Sequence, residues 1–381
     1  MINRTVGLKT LSPLFALFAI CATPTAVFSQ AKWQLSAKPT LTIGDEASEK
    51  TQFLNVRATM RASDGSVTVL NWGTRELRQF NATGAFIKSY GREGAGPGEF
   101  RNMTPSARYA DTLFISDSQL NRLTRFVIGK GFVGSSVLQP TVGPVTIIER
   151  LRNGDMFVHE TRYTSMEHPN GIFQDSLRLG VMTISPSPTV RWIGNFNGWS
   201  HLAVNPKNAE RAQSVGIYQF AGNLMMAASG NEMIVGRTDS PELSVFAANG
   251  TLIRKFRLAI EQRSFNEANF ARAKVDDVAK MKTPASVEAV TERYNLKYRP
   301  KYEPLYAQLL TAMDGTLWVQ RFRYSDKDPT EYLVVDPNGK ALANITVPPG
   351  VALQEIGANY ILGVSKDDDG VESVVMYSIL K

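Results

Sequence analysis

The 381-residue chain has 42 Lys and Arg against 35 Asp and Glu, a formal net charge of +7, with 20% charged and 43% hydrophobic residues. This length fits one large domain or two ordinary ones. The positive excess is mild and no run of Lys or Arg exceeds two residues, which argues against a nucleic-acid-binding protein.

The N-terminal segment predicts export. Arg4 and Lys9 precede an apolar stretch at 11–22, and the small residues Ser29 and Ala31 offer cleavage positions. The stretch is short for a membrane span. We therefore expect a signal peptide at 1–31 and a mature domain at 32–381 that is periplasmic or extracellular and not an integral membrane protein after cleavage.

Cys21 is the single cysteine and lies inside this segment. A lipidated cysteine needs a small residue before it, and Ile20 stands there, so the pattern disfavours lipidation without deciding it. Ordinary cleavage would leave a mature chain with no cysteine, and its stability would come from packing rather than disulfides.

From residue 40 onward the chain consists of short apolar segments separated by Gly- and Asn-containing turns. Residues 40–43 alternate like one strand without a neighbouring partner. Five units of four strands follow, in which turns such as Asp64-Gly65, Asn249-Gly250 and Asp314-Gly315 join alternating segments. A sixth unit has only three strands.

The missing strand of unit six predicts how the ends meet. If the four-stranded units are the blades of a ring, the last blade leaves an unpaired edge unless the other terminus of the chain completes it. We therefore expect 40–43 to form the outer strand of the blade built from the C-terminal residues.

One segment departs from the strand pattern. At about 261–299, apolar residues recur every three or four positions, and Pro284 precedes a helical pattern. This predicts two short helices, inserted between units four and five.

Several motifs resemble those of a known fold family. Residues 91–100, Gly-Arg-Glu-Gly-Ala-Gly-Pro-Gly-Glu-Phe, resemble the inter-blade turn of NHL-like six-bladed β-propellers. Residues 314–319, 336–339 and 362–372 are similar to an uncharacterised exported bacterial group of such propellers. The resemblance implies an all-β, six-bladed β-propeller of four-stranded blades, and it implies no catalytic residue.

Strand direction then divides the loops between two faces. The first face carries the loops between strands two and three of each blade and the connections between blades; the second face carries the remaining turns. We expect the long segments 91–100, 163–175, 195–216 and 323–330, with the helical insertion as a partial lid, on the first face, where long loops favour function.

The same loops collect cations and aromatic rings, which suit an anionic or sugar-like ligand. The predicted ligand-binding residues are Trp72, Arg75, Arg92, Arg122, Arg162, Arg237, Arg321, Arg323 and Tyr324. Pairing of these arginines with neighbouring carboxylates is the competing explanation. The favoured function is an exported, non-catalytic propeller that binds a small molecule or a partner protein on the first face.

The alternative function is a metal-dependent, lactonase-like hydrolase of the six-bladed type, so the sequence leaves catalysis open. Such an enzyme holds its metal at the channel, and the inner-strand candidates are Asn55, Glu149 and Glu355. We expect no cofactor. A calcium site at Asp367, Asp368, Asp369 and Glu372 and a metal site at His159, His168 and His201 are weaker hypotheses.

Overall fold

The computed structural model describes residues 31–45, 48–138, 145–162, 171–184, 188–204, 214–367 and 369–381. Residues 1–30 of the predicted signal peptide, including Cys21, lie outside these residues; its last residue, Ala31, is described. Six sheets follow one another along the chain, and apart from the N-terminal strands the strands within each sheet are antiparallel and pair in sequence order. The protein is a six-bladed β-propeller, as predicted.

The N-terminal strands are short and are paired with the C-terminal blades. They are β1 (Ala31–Lys32), β2 (Gln34–Leu35) and β3 (Leu41–Ile43).

The first three blades occupy the N-terminal half of the chain. Blade one is β4 (Val56–Arg61), β5 (Val67–Asn71), β6 (Glu76–Phe80) and β7 (Phe86–Tyr90). Blade two is β8 (Met103–Tyr109), β9 (Thr112–Asp117), β10 (Arg122–Val127) and β11 (Gly131–Val137). Blade three is β12 (Thr146–Arg150), β13 (Met156–Arg162), β14 (Gly171–Thr183) and β15 (Thr189–Val204), extended by β16 (Ser214–Ile217).

The remaining blades flank the helical insertion. Blade four is β17 (Leu224–Ser229), β18 (Glu232–Arg237), β19 (Glu242–Ala247) and β20 (Leu252–Arg257). The insertion is α1 (Glu267–Ala279) and α2 (Pro284–Arg293). Blade five is β21 (Tyr306–Thr311), β22 (Leu317–Arg321), β23 (Thr330–Val335) and β24 (Ala341–Val347). Blade six is β25 (Val351–Ile356), β26 (Tyr360–Lys366) and β27 (Glu372–Leu380).

The predicted ring closure is confirmed. Strand β3 pairs antiparallel with β27, with Leu41 opposite Met376 and Ile43 opposite Val374. The structure adds two contacts that the sequence did not predict: β2 pairs with the end of β27, and β1 pairs parallel with β24. The N-terminal segment therefore fastens the outer edges of blades five and six together.

The turns follow from residue chemistry. In the blade-one turn, the Asp64 Oδ1 atom accepts the Ser66 amide at 2.9 Å, and Gly65 takes a φ of 86° that other residues rarely adopt. The blade-five turn repeats this arrangement, with Asp314 accepting the Thr316 amide at 3.0 Å. Both turns lie on the second face, as predicted from strand direction.

Blade three corrects one prediction. The segments 163–175 and 195–216 were expected to be loops, but β14 begins at Gly171 and β15 continues to Val204, pairing with β16. Leu202, Ala203 and Val204 on this extension are buried, and Leu202 and Val204 pack in the cluster under the insertion, whereas Val215 and Ile217 of the neighbouring strand are exposed. The mixed composition concealed the strands; residues 163–170 and 205–213 lie outside the described part.

Both predicted helices are present, and local chemistry defines where they begin. Asn266 caps α1 by accepting the Asn269 amide at 2.9 Å. Thr283 and Ser286 form a capping box at the start of α2, with Pro284 in its first turn. Neither helix of the described chain is long and apolar enough to cross a membrane.

Candidate functional site

An aromatic cluster fixes the helical insertion onto the first face. The Phe220 ring lies 4.9 Å from Phe270 of α1, 5.6 Å from Tyr294 after α2 and 5.7 Å from Phe322 of blade five, measured between centroids. Buried Leu202 and Val204 of blade three join the same cluster. The insertion is therefore a packed part of the first face, held by residues from three blades.

Beside this cluster lies a first-face pocket of about 490 Å³, between the insertion and blade five. Three of the predicted ligand-binding residues, Arg321, Arg323 and Tyr324, line it. Its remaining lining residues are Arg263, Ser264, Asn266, Asn269, Glu303, Phe322, Asp328, Pro329 and Glu331.

Arg321 is the least compensated cation of this pocket. Its guanidinium donates one hydrogen bond, at 3.2 Å, to the Glu261 carbonyl, and it makes no salt bridge within the described chain. Burial, with the nearby charge of Arg263, lowers the pKa of Arg321 against the opposing effects of the Glu331, Glu303 and Glu261 carboxylates. Arg263 itself is paired with Glu331 at 3.0 Å. The pocket thus holds a half-buried guanidinium, most of whose N–H groups donate no hydrogen bond within the described chain.

Arg323 and Tyr324 shape the pocket wall. The Arg323 guanidinium donates to the Asp328 carbonyl at 2.8 Å and pairs with the Asp326 carboxylate at 3.2 Å. The Tyr324 hydroxyl accepts the Asn266 amide at 2.8 Å, which connects blade five to the start of α1, and burial raises the pKa of Tyr324. These two residues are engaged in structure as well as lining the cavity.

Glu303 is the buried acid of the pocket. Its side chain is 9% exposed, and burial raises the pKa of its carboxyl, against the opposing effects of Tyr324, Arg263 and Arg321. Glu303 lies close enough to Arg321 for each to favour the charged form of the other, against the effect of burial.

The predicted residues of blades one and two lie outside this pocket. The Arg75 guanidinium stacks on the Trp72 ring at 3.7 Å and donates to the Arg101 carbonyl at 3.0 Å. The Arg92 side chain is 79% exposed and pairs with Glu99 at 2.6 Å.

Arg122 and Arg237 hold loops together. The Arg122 guanidinium donates to the carbonyls of Ala95 at 3.1 Å, Gly96 at 3.0 Å and Glu99, all in the glycine-rich loop. Arg237 donates to the Gly222 carbonyl at 3.0 Å and pairs with Asp239 at 3.2 Å.

Arg162 ends β13, and its side chain lies outside the described residues, as does His168. His201 is buried, and its Nε2 atom lies 2.8 Å from the Asp175 Oδ2 atom. Burial lowers the pKa of His159, whose ring contacts Trp199 edge-on at 5.2 Å. These buried rings are part of the blade-three packing.

The metal-site candidates do not converge on one position. Asn55 precedes β4 at the first-face end, whereas Glu149 and Glu355 are next to last in β12 and β25, at the second-face end. At about 3.3 Å per residue, this separates Asn55 from the two acids by roughly 13 Å along the channel. Within the described ranges, no group of three or more His, Cys, Asp or Glu residues is arranged to hold a metal ion.

In the acidic turn of blade six, the Asp367 carboxylate accepts hydrogen bonds from backbone amides of the same turn. The Asp367 Oδ1 atom accepts the amides of Asp369 at 3.1 Å and Val371 at 2.8 Å. Glu372 is buried and turns away, accepting the Val56 amide at 2.7 Å and pairing with Lys366 at 3.0 Å. Glu372 therefore connects blade six to blade one, and Asp368 lies outside the described residues.

The second-face end of the channel was predicted only within the alternative function, through the metal-site candidates Glu149 and Glu355. This cavity of about 560 Å³ is lined by the second-face ends of all six inner strands, namely β4, β8, β12, β17, β21 and β25. Arg108 and Glu355 form a salt bridge within it. The sequence marks this cavity by charged residues near the ends of three inner strands, where apolar residues are usual. These residues are Arg108, Glu149 and Glu355.

No family model matches the sequence, and no curated protein matches it. A member of the DUF4221 family from Bacteroides vulgatus has a similar structure, with a TM-score of 0.54 and 8% sequence identity over 92% of this chain and 99% of that one. A predicted exported protein from Bacteroides fragilis gives a TM-score of 0.49 and 12% identity, covering 94% and 98% of the two chains. Virginiamycin B lyase from Staphylococcus aureus gives 0.42 and 11%, covering 92% and 100%. At these identities the likeness concerns the fold alone, and that fold is the β-propeller.

Proposed function

We propose that this protein is an exported, non-catalytic propeller that binds a small anionic molecule in the first-face pocket, with Arg321 as the primary contact. The observation that carries the proposal is the half-buried Arg321 guanidinium, which has one hydrogen bond and no salt bridge among the described residues. Export is proposed from the N-terminal segment alone.

The surroundings of Arg321 favour a compact anion with planar oxygen pairs. A guanidinium presents paired N–H donors that match a carboxylate or phosphate. Asn266 and Asn269 at the start of α1 supply further polar groups on the opposite wall. A volume of about 490 Å³ accommodates a small organic acid or a phosphorylated metabolite.

The other arginines of the pocket explain why Arg321 stands out. Arg263 and Arg323 are each paired with a carboxylate, at 3.0 and 3.2 Å, so their charge is largely compensated. A ligand carboxylate would relieve the unfavourable burial of the Arg321 charge, which is the condition that lowers its pKa.

The test is calorimetric titration of the purified exported chain with acetate, succinate, citrate and inorganic phosphate at low ionic strength. We expect at least one anion to bind, with an affinity that falls as salt rises. Arg321→Ala should weaken binding roughly 10- to 100-fold, because one charge-assisted bidentate contact is lost. Arg321→Lys should be intermediate, since it keeps the charge but not the paired donors.

Arg92→Ala is the matched control, because it removes one positive charge from the same face at an exposed position outside the pocket. An equal loss of affinity in both alanine variants would mean that binding reflects overall charge only. Unchanged binding in Arg321→Ala would end the proposal.

A further inference from the structure

The first-face pocket is lined by equal numbers of cationic and acidic side chains. Its charged lining residues are Arg263, Arg321, Arg323, Glu303, Asp328 and Glu331. The formal charges of this lining cancel. A ligand that carries only negative groups is therefore attracted by one half of the charged lining and repelled by the other half.

Two of the three acids are already paired with arginines. The Glu331 carboxylate pairs with Arg263 at 3.0 Å, and the Asp328 carboxylate pairs with Arg272 of α1 at 2.9 Å. Glu303 is only 9% exposed, and it makes no salt bridge within the described residues. A buried carboxylate without a cationic partner is unfavourable. Glu303 is therefore the acid of the pocket that a cationic group on a ligand would stabilise most.

Glu303 and Arg321 are close together but do not pair. They form no salt bridge with each other, yet each favours the charged form of the other against the effect of burial. The Tyr324 hydroxyl also favours the Glu303 carboxylate, and because its oxygen accepts the Asn266 amide at 2.8 Å, its proton is free to donate. The pocket thus presents a guanidinium and a carboxylate, near each other, that lack ion-pair partners in the described chain.

This arrangement is complementary to a molecule that carries both charges. An α-amino acid has a carboxylate and an ammonium group on the same carbon atom, so it can contact a guanidinium and a carboxylate at once. Each buried charge of the pocket then gains a partner of opposite sign. A simple carboxylic acid would satisfy the guanidinium and leave the carboxylate unpaired.

We infer that the ligand of the first-face pocket is an α-amino acid, whose carboxylate contacts Arg321 and whose ammonium group contacts Glu303. The inference rests on the proposed function, because it keeps Arg321 as the carboxylate contact, and it names the chemical class of the ligand. An acidic amino acid such as aspartate fits both statements, since it is an anion overall and carries the ammonium group.

Three dicarboxylic acids isolate the contribution of the ammonium group. Succinate, malate and aspartate share both carboxylates and differ in one substituent, which is hydrogen, hydroxyl or ammonium. Calorimetric titration of the purified exported chain near neutral pH measures their affinities. We expect aspartate to bind roughly tenfold more tightly than succinate or malate, because only the ammonium group gives Glu303 a charged donor.

Two glutamine variants test the role of Glu303. Glu303→Gln keeps the size of the side chain but removes its charge, so aspartate should lose affinity roughly tenfold while succinate binds as tightly as before or more tightly. Glu331→Gln is the matched control, because it removes one negative charge from the same lining at an acid that is paired with Arg263. This control should change the affinities for aspartate and succinate by the same factor.

Equal binding of aspartate and succinate, or of aspartate and malate, would overturn the inference and leave the proposed function intact. An aspartate preference that survives Glu303→Gln, or that Glu331→Gln removes equally, would overturn it as well. The comparison of the three acids uses the wild-type chain, so it decides the matter even if Glu303→Gln fails to fold. If aspartate kept its affinity in Arg321→Ala, or if none of the acids bound, the proposed function would fail and the inference with it.

Discussion

The glycine-rich loop offers a direct test of how buried and exposed arginines differ in one structure. Arg122 and Arg92 both make side-chain contacts within residues 91–100. Arg122 is half-buried and donates to three main-chain carbonyls, whereas the Arg92 side chain is 79% exposed and contacts one carboxylate. Replacing each by alanine removes the same charge, so the difference between the variants reports the environment.

The expected effect can be worked out from these contacts. Hydrogen bonds from a charged donor contribute about 1.5–3 kcal/mol each when buried, and the partial exposure of this loop reduces the sum, so Arg122→Ala should cost about 2 kcal/mol. Dividing this loss by an unfolding entropy near 2.1 cal/mol/K per residue gives a thermal midpoint that is lower by roughly 3 °C. Arg92→Ala should leave the midpoint unchanged, because exposed ion pairs contribute little.

The assay is thermal and urea unfolding followed by circular dichroism, on both variants and on Arg122→Lys. The lysine variant keeps the charge but cannot reach three carbonyls, so its midpoint should lie between those of the wild type and Arg122→Ala. If Arg122→Ala unfolded at the wild-type midpoint, or if Arg92→Ala matched its loss, the assignment of Arg122 to loop structure would be wrong.

Three further predictions concern the channel, the ring closure and the acidic turn. Because the folded-state pKa of Glu149 is raised above 4.5, its contribution to stability is lost as pH rises; Glu149→Gln should be more stable than the wild type at pH 8, and urea titrations should show that the gap closes below about pH 4. Ile43→Ala, at 2% exposure in the closing strand, should cost about 3 kcal/mol in the same titrations, whereas Leu54→Ala, at 62% exposure, should cost almost nothing. Millimolar calcium should not raise the thermal midpoint, because Glu372 already contacts a backbone amide and a lysine; a rise that disappears in Asp367→Asn would instead support a calcium site.

The fold was largely predictable from local chemistry. Turns such as Asp64-Gly65 require an Asx side chain followed by a residue at positive φ, and this pattern recurs along the chain. Counting the strands between turns exposed the missing strand, and Pro284 marked the second helix. The extension of blade three was mispredicted because it buries polar residues such as Ser200 and His201 and exposes apolar ones such as Val215, so its burial does not follow an apolar alternation that the sequence would show.

The candidate site was less predictable, for a physical reason. The sequence places arginines near one face but does not say where each guanidinium finds its acceptors. Arg122 and Arg321 both adjoin the loop between strands two and three of their blades, Arg122 at the start of strand three and Arg321 at the end of strand two, yet one holds a neighbouring loop and the other faces a cavity. That difference depends on the path of the inter-blade connections.

The pairing of the N-terminal strands with the last blade also constrains biogenesis. The Thr40 hydroxyl donates to the Met376 carbonyl across 336 positions of sequence, so a contact that completes the ring joins a strand made before blade one to the last strand of blade six. Earlier blades can form during synthesis, but the outer edges of blades five and six stay open until those blades have been made. We therefore expect assembly to end with a slow docking step, during which those open edges are the part of the protein most prone to aggregate.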